Sequence, residues 1–457
     1  MRVWELARAG DSTRIGREMY EWIEDLYPLC RSMTGEGLRE TLRRLARLVP
    51  LTIQEVPTGT PVFDWTVPRE WNIRDAYVKN SRGQRVIDFR ESNLHVVHYS
   101  VPIHTRMPLA DLRPHLFTLP GHPDWIPYRT SYHEERWGFC LSHRRLLELE
   151  TGEYEVCIDA TLGPGSLSYG ELLLEGETSD EVLIACHVCH PSLANDNLAG
   201  VALAVQLARE LAGVSRRYSY RFLFLPGTIG AIAWLSLNEP SLRRIKHGLV
   251  LSCTGDAGSV TYKKTRRGDA AIDRAFTRTL QERGDEHTVL EFSPYGDERQ
   301  FCSPGLDLPV GCLTRTAHGG YPEYHTSADD LALVHPWALA DTFGKCLAAL
   351  GILEGDRTYL SLNPKCEPHL GKRGLYRRAL ERGPAPDSQA MLWVLSFTDG
   401  HHSLLDIAER SGLPFQSIRA AAEALAAHGL LAEQGVIAPV PAPVNSRGAR
   451  DGSRLAG

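Results

Sequence analysis

The chain has 457 residues, of which 43% are apolar and 23% charged, a composition typical of a globular protein with about two or three domains. Its formal net charge is −6 and acidic and basic residues are interspersed, which argues against nucleic acid or an anionic membrane surface as a partner. The N-terminus lacks a basic and then apolar export signal, and no apolar run approaches about 18 residues, so we expect a cytoplasmic protein.

The first 56 residues predict two helices followed by a strand. Apolar residues recur at helical spacing over residues 15–26 and 36–49, and residues 51–56 have the pattern of a strand. From Pro57 the sequence becomes rich in Pro, Trp and β-branched residues, with no long helical period. We therefore predict a separate β-rich inserted domain over residues 57–164.

Strands and helices then alternate, which is typical of an α/β domain with a mixed sheet. Short apolar runs predict strands at residues 171–175, 181–185, 220–225, 248–253 and 308–313. Helical spacing predicts helices at residues 200–212, 230–238, 270–283 and 336–351. Residues 1–56 and 165–355 are thus predicted to form one domain that the insert interrupts.

The C-terminal part predicts three short helices that resemble a winged helix, over residues 375–437. Its presumed recognition helix, residues 414–428, contains one arginine and many alanines, whereas DNA reading needs cationic and amide side chains. We expect a packing or dimerisation module rather than a DNA reader, which leaves a homo-oligomer open. Residues 438–457 are predicted to be disordered.

The segment ACHVCHPSLANDNLAG, residues 185–200, concentrates the chemistry of the chain. It lies where a predicted strand ends and a helix begins, which is where open α/β sheets bind ligands. Cys186 and Cys189 with His190 match a haem-attachment, zinc-ribbon or redox pattern. Haem attachment requires export and there is no second Cys-x-x-Cys, so these three interpretations are not favoured.

A hydrolytic metal site is the favoured interpretation. Imidazole and carboxylate groups hold hydrolytic zinc and leave one position open for water. Either His187 or His190 could join Asp196 in such a site, together with the distant His325. Separation along the chain does not matter if all of them lie at strand ends.

Several long motifs resemble the zinc aminopeptidases and the related glutaminyl cyclases. The whole chain is more specifically similar to aminopeptidase-like proteins with a nested β-rich insert and a C-terminal winged helix, a branch linked with polysaccharide or natural-product biosynthesis. The motifs that carry the resemblance span about residues 15–440 and include RSMTGEG, SNLHVVHYS, IPYRTSYHEERWGFC, CHPSLANDNLAG, GDERQFCSPGLDLPV and GGYPEYHTSADDL. The resemblance implies a phosphorylase/hydrolase-like α/β fold with zinc above the sheet.

The resemblance also implies roles for individual residues. The metal ligands would be His187, Asp196 and His325. Acidic groups beside the metal would be Asp297 and Glu298, either of which could act in catalysis. The implied substrate-binding residues, for a small peptide or an aminoacyl conjugate, are Arg299, Tyr324 and Asp256.

Two departures from the family pattern qualify the predicted activity. Cys189 occupies the place of an aspartate that orients the first histidine, and Gly227 stands where a strand should lead into a pair of glutamates. Since glycine cannot accept a proton, Asp297 or Glu298 must replace the missing base if the chain is a hydrolase. The alternatives are a degenerate peptidase that binds an amino-acid-like ligand or catalyses transfer or cyclisation, and a winged-helix regulator that senses a ligand.

Overall fold

The computed structural model describes residues 1–6, 11–132, 134–317, 319–375 and 388–434, and the chain forms two compact units, Met1–Glu354 and Gly355–Gly457. The tail predicted to be disordered, residues 438–457, lies outside the described residues. Among the described helices, none has the length and apolar character needed to cross a membrane.

The described elements of the first unit include ten α-helices and sixteen strands. The helices are α1 Val3–Leu6, α2 Ser12–Leu26, α3 Glu36–Leu45, α4 Leu109–Leu112, α5 His143–Leu147, α6 Gly200–Ala212, α7 Ile229–Asn238, α8 Ala271–Arg283, α9 Glu298–Phe301 and α10 Pro336–Gly355, the last of which ends one residue into the second unit. The strands are β1 Thr52–Pro57, β2 Pro61–Val62, β3 Trp65–Thr66, β4 Glu70–Lys79, β5 Arg85–Asp88, β6 Ile103–Pro108, β7 Leu116–Phe117, β8 Phe139–Cys140, β9 Glu153–Gly163, β10 Ser166–Leu174, β11 Glu181–His187, β12 Ser219–Leu225, β13 Ile245–Leu251, β14 Val260–Lys263, β15 His287–Leu290 and β16 Val310–Thr314.

A mixed sheet of eight strands organises this unit, in the order β1-β10-β12-β11-β13-β16-β14-β15. Strands β12, β11, β13 and β16 are mutually parallel, whereas β10 runs antiparallel to both β1 and β12. The central strand β11 is buried from Glu181 to Cys186, as expected of a strand covered on both faces. This sheet confirms the predicted fold class.

The predicted strands and helices of the α/β domain are present with small shifts of their ends, and helix α6 has the predicted bounds. Two strands were missed, β14 and β15, which form one edge of the sheet. Both are only four residues long, and their sequences VTYK and HTVL mix polar with apolar residues. Neither strand therefore forms an apolar run of the kind that predicts a buried strand.

The segment predicted to be an insert contains a four-stranded antiparallel sheet, in the order β5-β4-β9-β6. It has its own hydrophobic core, in which Trp71, Val78, Phe139 and Val156 are buried. The predicted limits of the insert, residues 57 and 164, remain a prediction.

The second unit is a winged helix. It contains β17 Thr358–Ser361, α11 Ser388–Phe397, β18 Asp399–Ser403, α12 Leu404–Ser411, α13 Phe415–Ala427 and β19 Leu431–Glu433. Strand β17 lies between β18 and β19 and pairs antiparallel with both, so residues expected to be part of a linker contribute the central strand. The exposed positions of α13 are Ala420, Glu423 and Ala427, none of which is basic.

Candidate metal-type active site

The site is built at the carboxyl ends of the parallel strands. In the register of the sheet His187, the last residue of β11, pairs with Leu225, the last residue of β12. A turn over Ala194–Ala199 then leads directly into helix α6. The loops that follow neighbouring parallel strands meet at this edge, which brings distant parts of the chain together.

Four polar side chains form a compact cluster, which we call the Asp196 cluster: His187, His190, Asp196 and His325. The Asp196 carboxylate is 1% exposed and accepts a hydrogen bond from His187 Nε2 over 2.7 Å. Its second oxygen lies 3.0 Å from His325 Nε2 and 3.9 Å from His190 Nε2. The structure thus brings together the three predicted metal ligands. It also places His190 beside them, so both His187 and His190 belong to the cluster.

The charges within the cluster favour an ionised carboxylate. Burial alone would raise the pKa of Asp196, but the imidazoles of His190 and His187 hold it well below its usual range. Burial opposes a charge on His187, yet the Asp196 charge raises the pKa of this histidine. Burial dominates for His190 and lowers its pKa well below the usual value, which keeps this imidazole neutral and able to act as a metal ligand.

Backbone contacts fix the position of Asp196. The carboxylate of Asp329 accepts hydrogen bonds from the backbone N–H of Asn195, at 2.6 Å, and of Asp196, at 3.0 Å. The side chain of Asn197 donates to the carbonyl of Leu251, at the end of β13, over 3.0 Å. Burial, together with the Asp196 charge, raises the pKa of Asp329 to about 8.

Asp256 differs from its predicted role as a substrate contact. It is 3% exposed, and its carboxylate accepts hydrogen bonds from the side chains of Asn195 and Thr316 and from the backbone of Gly258 and Thr316. Both oxygens are therefore already engaged. Asp256 supports the turn that carries Asp196 and has no oxygen left for a substrate amine.

Asp297 lies beside Gly227, the position that has no side chain. The backbone N–H of Thr228 donates to Asp297 Oδ1 over 2.8 Å. A Cβ atom at position 227 would lie 4.0 Å from Asp297 Oδ2, 3.9 Å from His187 Cβ and 3.4 Å from Cys189 Sγ. Burial raises the pKa of Asp297, and the His187 charge partly opposes this effect. Asp297 is thus placed next to the position where the family pattern has a glutamate.

Glu298 does not fit the predicted catalytic role. It is 0% exposed and forms an ion pair with Lys263. The Lys263 ammonium also donates to the backbone carbonyls of Ser293 and Tyr295. Because its charge is already balanced by a buried lysine, Glu298 is a structural carboxylate. Its neighbour Asp297 is the better placed of the two predicted acids.

The two other predicted substrate residues differ in how closely they approach the cluster. Tyr324 stacks on His325, with ring centroids 4.0 Å apart. Arg299 is exposed and donates to the carbonyl of Pro294 over 3.2 Å, although its charge acts on Asp297 and lowers the pKa of that carboxyl.

Sequence reasoning assigned no role to Tyr128, which the inserted segment contributes to the site. Its ring centroid lies 5.1 Å from that of His190 and 5.2 Å from that of His325. Tyr128 lies within the motif IPYRTSYHEERWGFC, one of those that carry the family resemblance, but the motif alone does not indicate which of its residues reaches the site. Arg31 also supports the cluster, since its buried guanidinium donates to the carbonyl of His190 over 2.9 Å.

Comparisons with known proteins agree with this architecture. A family described as a domain of unknown function, DUF4910, matches residues 20–356, and a winged helix-turn-helix family matches residues 357–433. A curated Clostridium acetobutylicum protein, named provisionally as a polysaccharide biosynthesis protein with an aminopeptidase-like domain, is 52% identical over 417 residues, which are 91% of this chain and 96% of that protein.

Solved structures give the same picture. The crystal structure of a Clostridium acetobutylicum protein named provisionally as a peptidase has a TM-score of 0.88 and 51% identity, and the match covers 92% of this chain and 97% of that one. A zinc aminopeptidase from Bacillus subtilis shares the fold at 13% identity, with a TM-score of 0.55 and coverage of 73% and 94%. The predicted resemblance to zinc aminopeptidases is thereby confirmed for the fold. The chain belongs to the DUF4910 family, with an aminopeptidase-like α/β domain followed by a winged helix.

Proposed function

We propose that the chain is a zinc-dependent, aminopeptidase-like hydrolase of an amide bond in a small peptide or aminoacyl conjugate, acting in a biosynthetic pathway. The observation that carries the proposal is the Asp196 cluster, in which three imidazoles surround one buried carboxylate. Asp297 lies beside this cluster and, within the described part of the chain, forms no ion pair of the kind that joins Glu298 to Lys263.

The donor atoms of the cluster fit a zinc ion. Among the described residues, Asp196 Oδ2 and His325 Nε2 are buried without a hydrogen-bond partner, although they lie 3.0 Å apart. Their contact is an ion pair without hydrogen-bond geometry, and a third group placed between them would satisfy both atoms. Carboxylate oxygen and imidazole nitrogen are ligands that zinc accepts, so His187, Asp196 and His325, with His190 beside them, would hold the ion.

Bound zinc would polarise the amide carbonyl and lower the pKa of an attacking water toward about 7. The chain itself supplies the proton transfer. Asp297 accepts the proton of the attacking water at a carboxylate oxygen and returns it to the leaving amine. The Thr228 backbone N–H, bonded to Asp297 Oδ1, leaves the other oxygen facing the space beside Gly227. Tyr324, stacked on His325, contacts the substrate from the opposite loop.

The test is hydrolysis of a panel of aminoacyl amides by the zinc-loaded full chain. We expect Asp297→Asn to keep the zinc and lose activity by about 10²–10⁴-fold, as removal of a positioned base does. The matched control is Asp307→Asn, which changes an aspartate paired with Arg266 and Arg267 at the surface and should leave activity unchanged. An Asp297→Asn variant as active as the wild type would rule out this base.

A second candidate is a degenerate peptidase that binds an amino-acid-like ligand without hydrolysing it, and Gly227 is the observation that favours it. A Cβ at position 227 would meet its nearest neighbour, Cys189 Sγ, at an ordinary contact distance of 3.4 Å, so the backbone there accepts a Cβ atom. If the wild type binds zinc but hydrolyses nothing, and Gly227→Glu gains activity, this second candidate is correct.

We also propose that the winged helix contacts no nucleic acid. The exposed face of α13 carries alanines and Glu423, and Arg419 is engaged by Glu423 and Gln416. A salt-dependent mobility shift of random duplex DNA by the full chain would contradict this proposal and favour a regulator.

A further inference from the structure

Tyr128 belongs to the inserted β-rich segment, yet its ring packs against residues of the α/β domain. It lies edge-on to His325 at an interplanar angle of 88° and tilted against His190 at 56°. On its other side it contacts the buried ring of His98, with centroids 5.6 Å apart. The half-buried phenol ring therefore contacts three imidazoles, two of which belong to the Asp196 cluster.

Backbone hydrogen bonds fix the segment that carries this ring. Tyr128 N–H donates to the carbonyl of His325 over 2.8 Å, and Ser327 N–H donates to the carbonyl of Ile126 over 2.8 Å. Pro127 and Thr326 form an antiparallel bridge between these two contacts. The loop that carries His325 and the inserted segment are thus joined along a short stretch of β structure, so their side chains keep a defined distance.

The other flank of the same segment is anchored in the insert. His98 N–H donates to the carbonyl of Arg129 over 2.9 Å, and Ser131 N–H donates to the carbonyl of His98 over 2.8 Å. His98 itself is 0% exposed and packs against Trp71, a core residue of the insert. Tyr128 is therefore held rigidly from both sides, which is what a preorganised donor requires.

The hydroxyl group of Tyr128 is available to a ligand. Among the described residues, no side chain or backbone group forms a hydrogen bond with it. A phenol hydroxyl without a protein partner, on a ring that packs against two histidines of the Asp196 cluster, can donate to a ligand oxygen.

We propose that Tyr128 is a substrate-contacting residue whose hydroxyl donates a hydrogen bond to the carbonyl oxygen, or to the oxyanion derived from it, of the group bound at the Asp196 cluster. The inserted segment then contributes a substrate-binding group to the active site. This inference rests on the proposed function, because it assumes that a carbonyl group binds at the cluster. A donor aimed at developing negative charge stabilises the transition state more than the ground state.

The test uses the full chain, stripped of metal and loaded with Co²⁺, with acetohydroxamate as the probe because it presents a carbonyl oxygen to a metal ion. Tyr128→Phe removes only the hydroxyl and keeps the ring contacts. We expect its Co²⁺ absorption spectrum and Co²⁺ affinity to match the wild type, while its affinity for acetohydroxamate falls about tenfold or more, as expected for a lost hydrogen bond to a charged oxygen.

The matched control is Tyr154→Phe, which removes a hydroxyl from the same inserted segment, where it donates to the carbonyl of Glu150 over 2.7 Å. This control should bind acetohydroxamate as the wild type does. Equal affinity in Tyr128→Phe and wild type, with Co²⁺ bound in both, would overturn the Tyr128 assignment alone. A wild type that binds no Co²⁺ would overturn the proposed function and this assignment with it.

Discussion

Two buried carboxylates lie near the carboxyl edge of the sheet, and their surroundings differ. Glu298 is balanced by Lys263, a permanent cation whose ammonium is also bonded to two carbonyls. Asp196 is surrounded by three imidazoles, and its oxygen Oδ2 has no hydrogen-bond partner among the described residues. Both oxygens of Glu298 also lack a hydrogen-bond partner among the described residues, so the two carboxylates differ in the group beside them, which is an ammonium for Glu298 and imidazoles for Asp196.

The contrast separates a structural ion pair from a ligand site. The Glu298 pair joins a carboxylate to an ammonium group within the fold. The Asp196 cluster has no such ammonium group among the described residues: burial keeps His190 neutral, and the Asp196 charge favours a proton on His187. Because imidazole ligands release their protons when a metal binds, an incoming cation would take over the balance of the Asp196 charge, which is the property of a metal site rather than of a packing element.

The largest expected effect is on metal binding. We expect Asp196→Ala to lose zinc affinity by more than about 10³-fold, beyond the roughly 10–100-fold that loss of an outer partner costs. Glu298→Gln should bind zinc with unchanged affinity, because the Glu298 carboxylate pairs with Lys263 and is not a metal ligand. Zinc titration of both variants against a chromophoric chelator measures this. The comparison fails if Glu298→Gln loses zinc as strongly as Asp196→Ala.

The next effect tests the other half of the comparison, through stability. Lys263→Met leaves the 0% exposed Glu298 without its cation, which should lower the free energy of unfolding by about 3 kcal/mol. The double variant Lys263→Met with Glu298→Leu should recover most of the loss, because it removes both charges from the interior. Urea denaturation followed by tryptophan fluorescence gives the midpoints.

The neighbouring lysine provides the control for this cycle. Lys264 pairs with Glu291 over 2.7 Å, but the Glu291 side chain is 77% exposed. Lys264→Met should change stability by less than about 1 kcal/mol. If Lys263→Met is no more damaging than Lys264→Met, Glu298 is not held by a structural ion pair, and its exclusion from catalysis no longer follows.

The sequence predicted the parts of the fold that local patterns determine. Apolar runs located the central strands, and helical spacing located α6 with its observed bounds, because both patterns report burial directly. Asp196 and the distant His325 were also predicted as metal ligands from the residues, which left His187 and His190 as alternatives. The family resemblance favoured His187, and only the fold shows that His325 meets Asp196 and that His190 lies beside them.

The rest depended on contacts between distant segments. Asp297 and Glu298 are adjacent in the chain, and only the fold shows that one lies beside Gly227 and the other pairs with Lys263. Tyr128 reaches the cluster through a bridge between the insert and the loop of His325, about two hundred residues further along the chain. Local periodicity contains no information about such pairings, so these roles could not be predicted from it.

The smallest of the expected effects concerns a residue that acts on the Asp196 cluster only through the backbone. Asp329 accepts hydrogen bonds from the N–H groups of Asn195 and Asp196, one at each carboxylate oxygen. Asp329→Asn keeps the size of the side chain but turns one acceptor into a donor that faces an N–H group. We expect zinc affinity to fall about tenfold, the lower end of the range for an outer partner, with the fold intact by circular dichroism.

Asp330→Asn is the matched control for this last variant, because it makes the same chemical change one residue further on. The Asp330 carboxylate accepts a hydrogen bond from Ala332 N–H over 2.8 Å and caps a short helical turn. Asparagine is a comparable capping residue, so zinc affinity should not change. Equal zinc affinity in the two variants would mean that the backbone around Asp196 holds its place without Asp329, and that the cluster depends on its side chains alone.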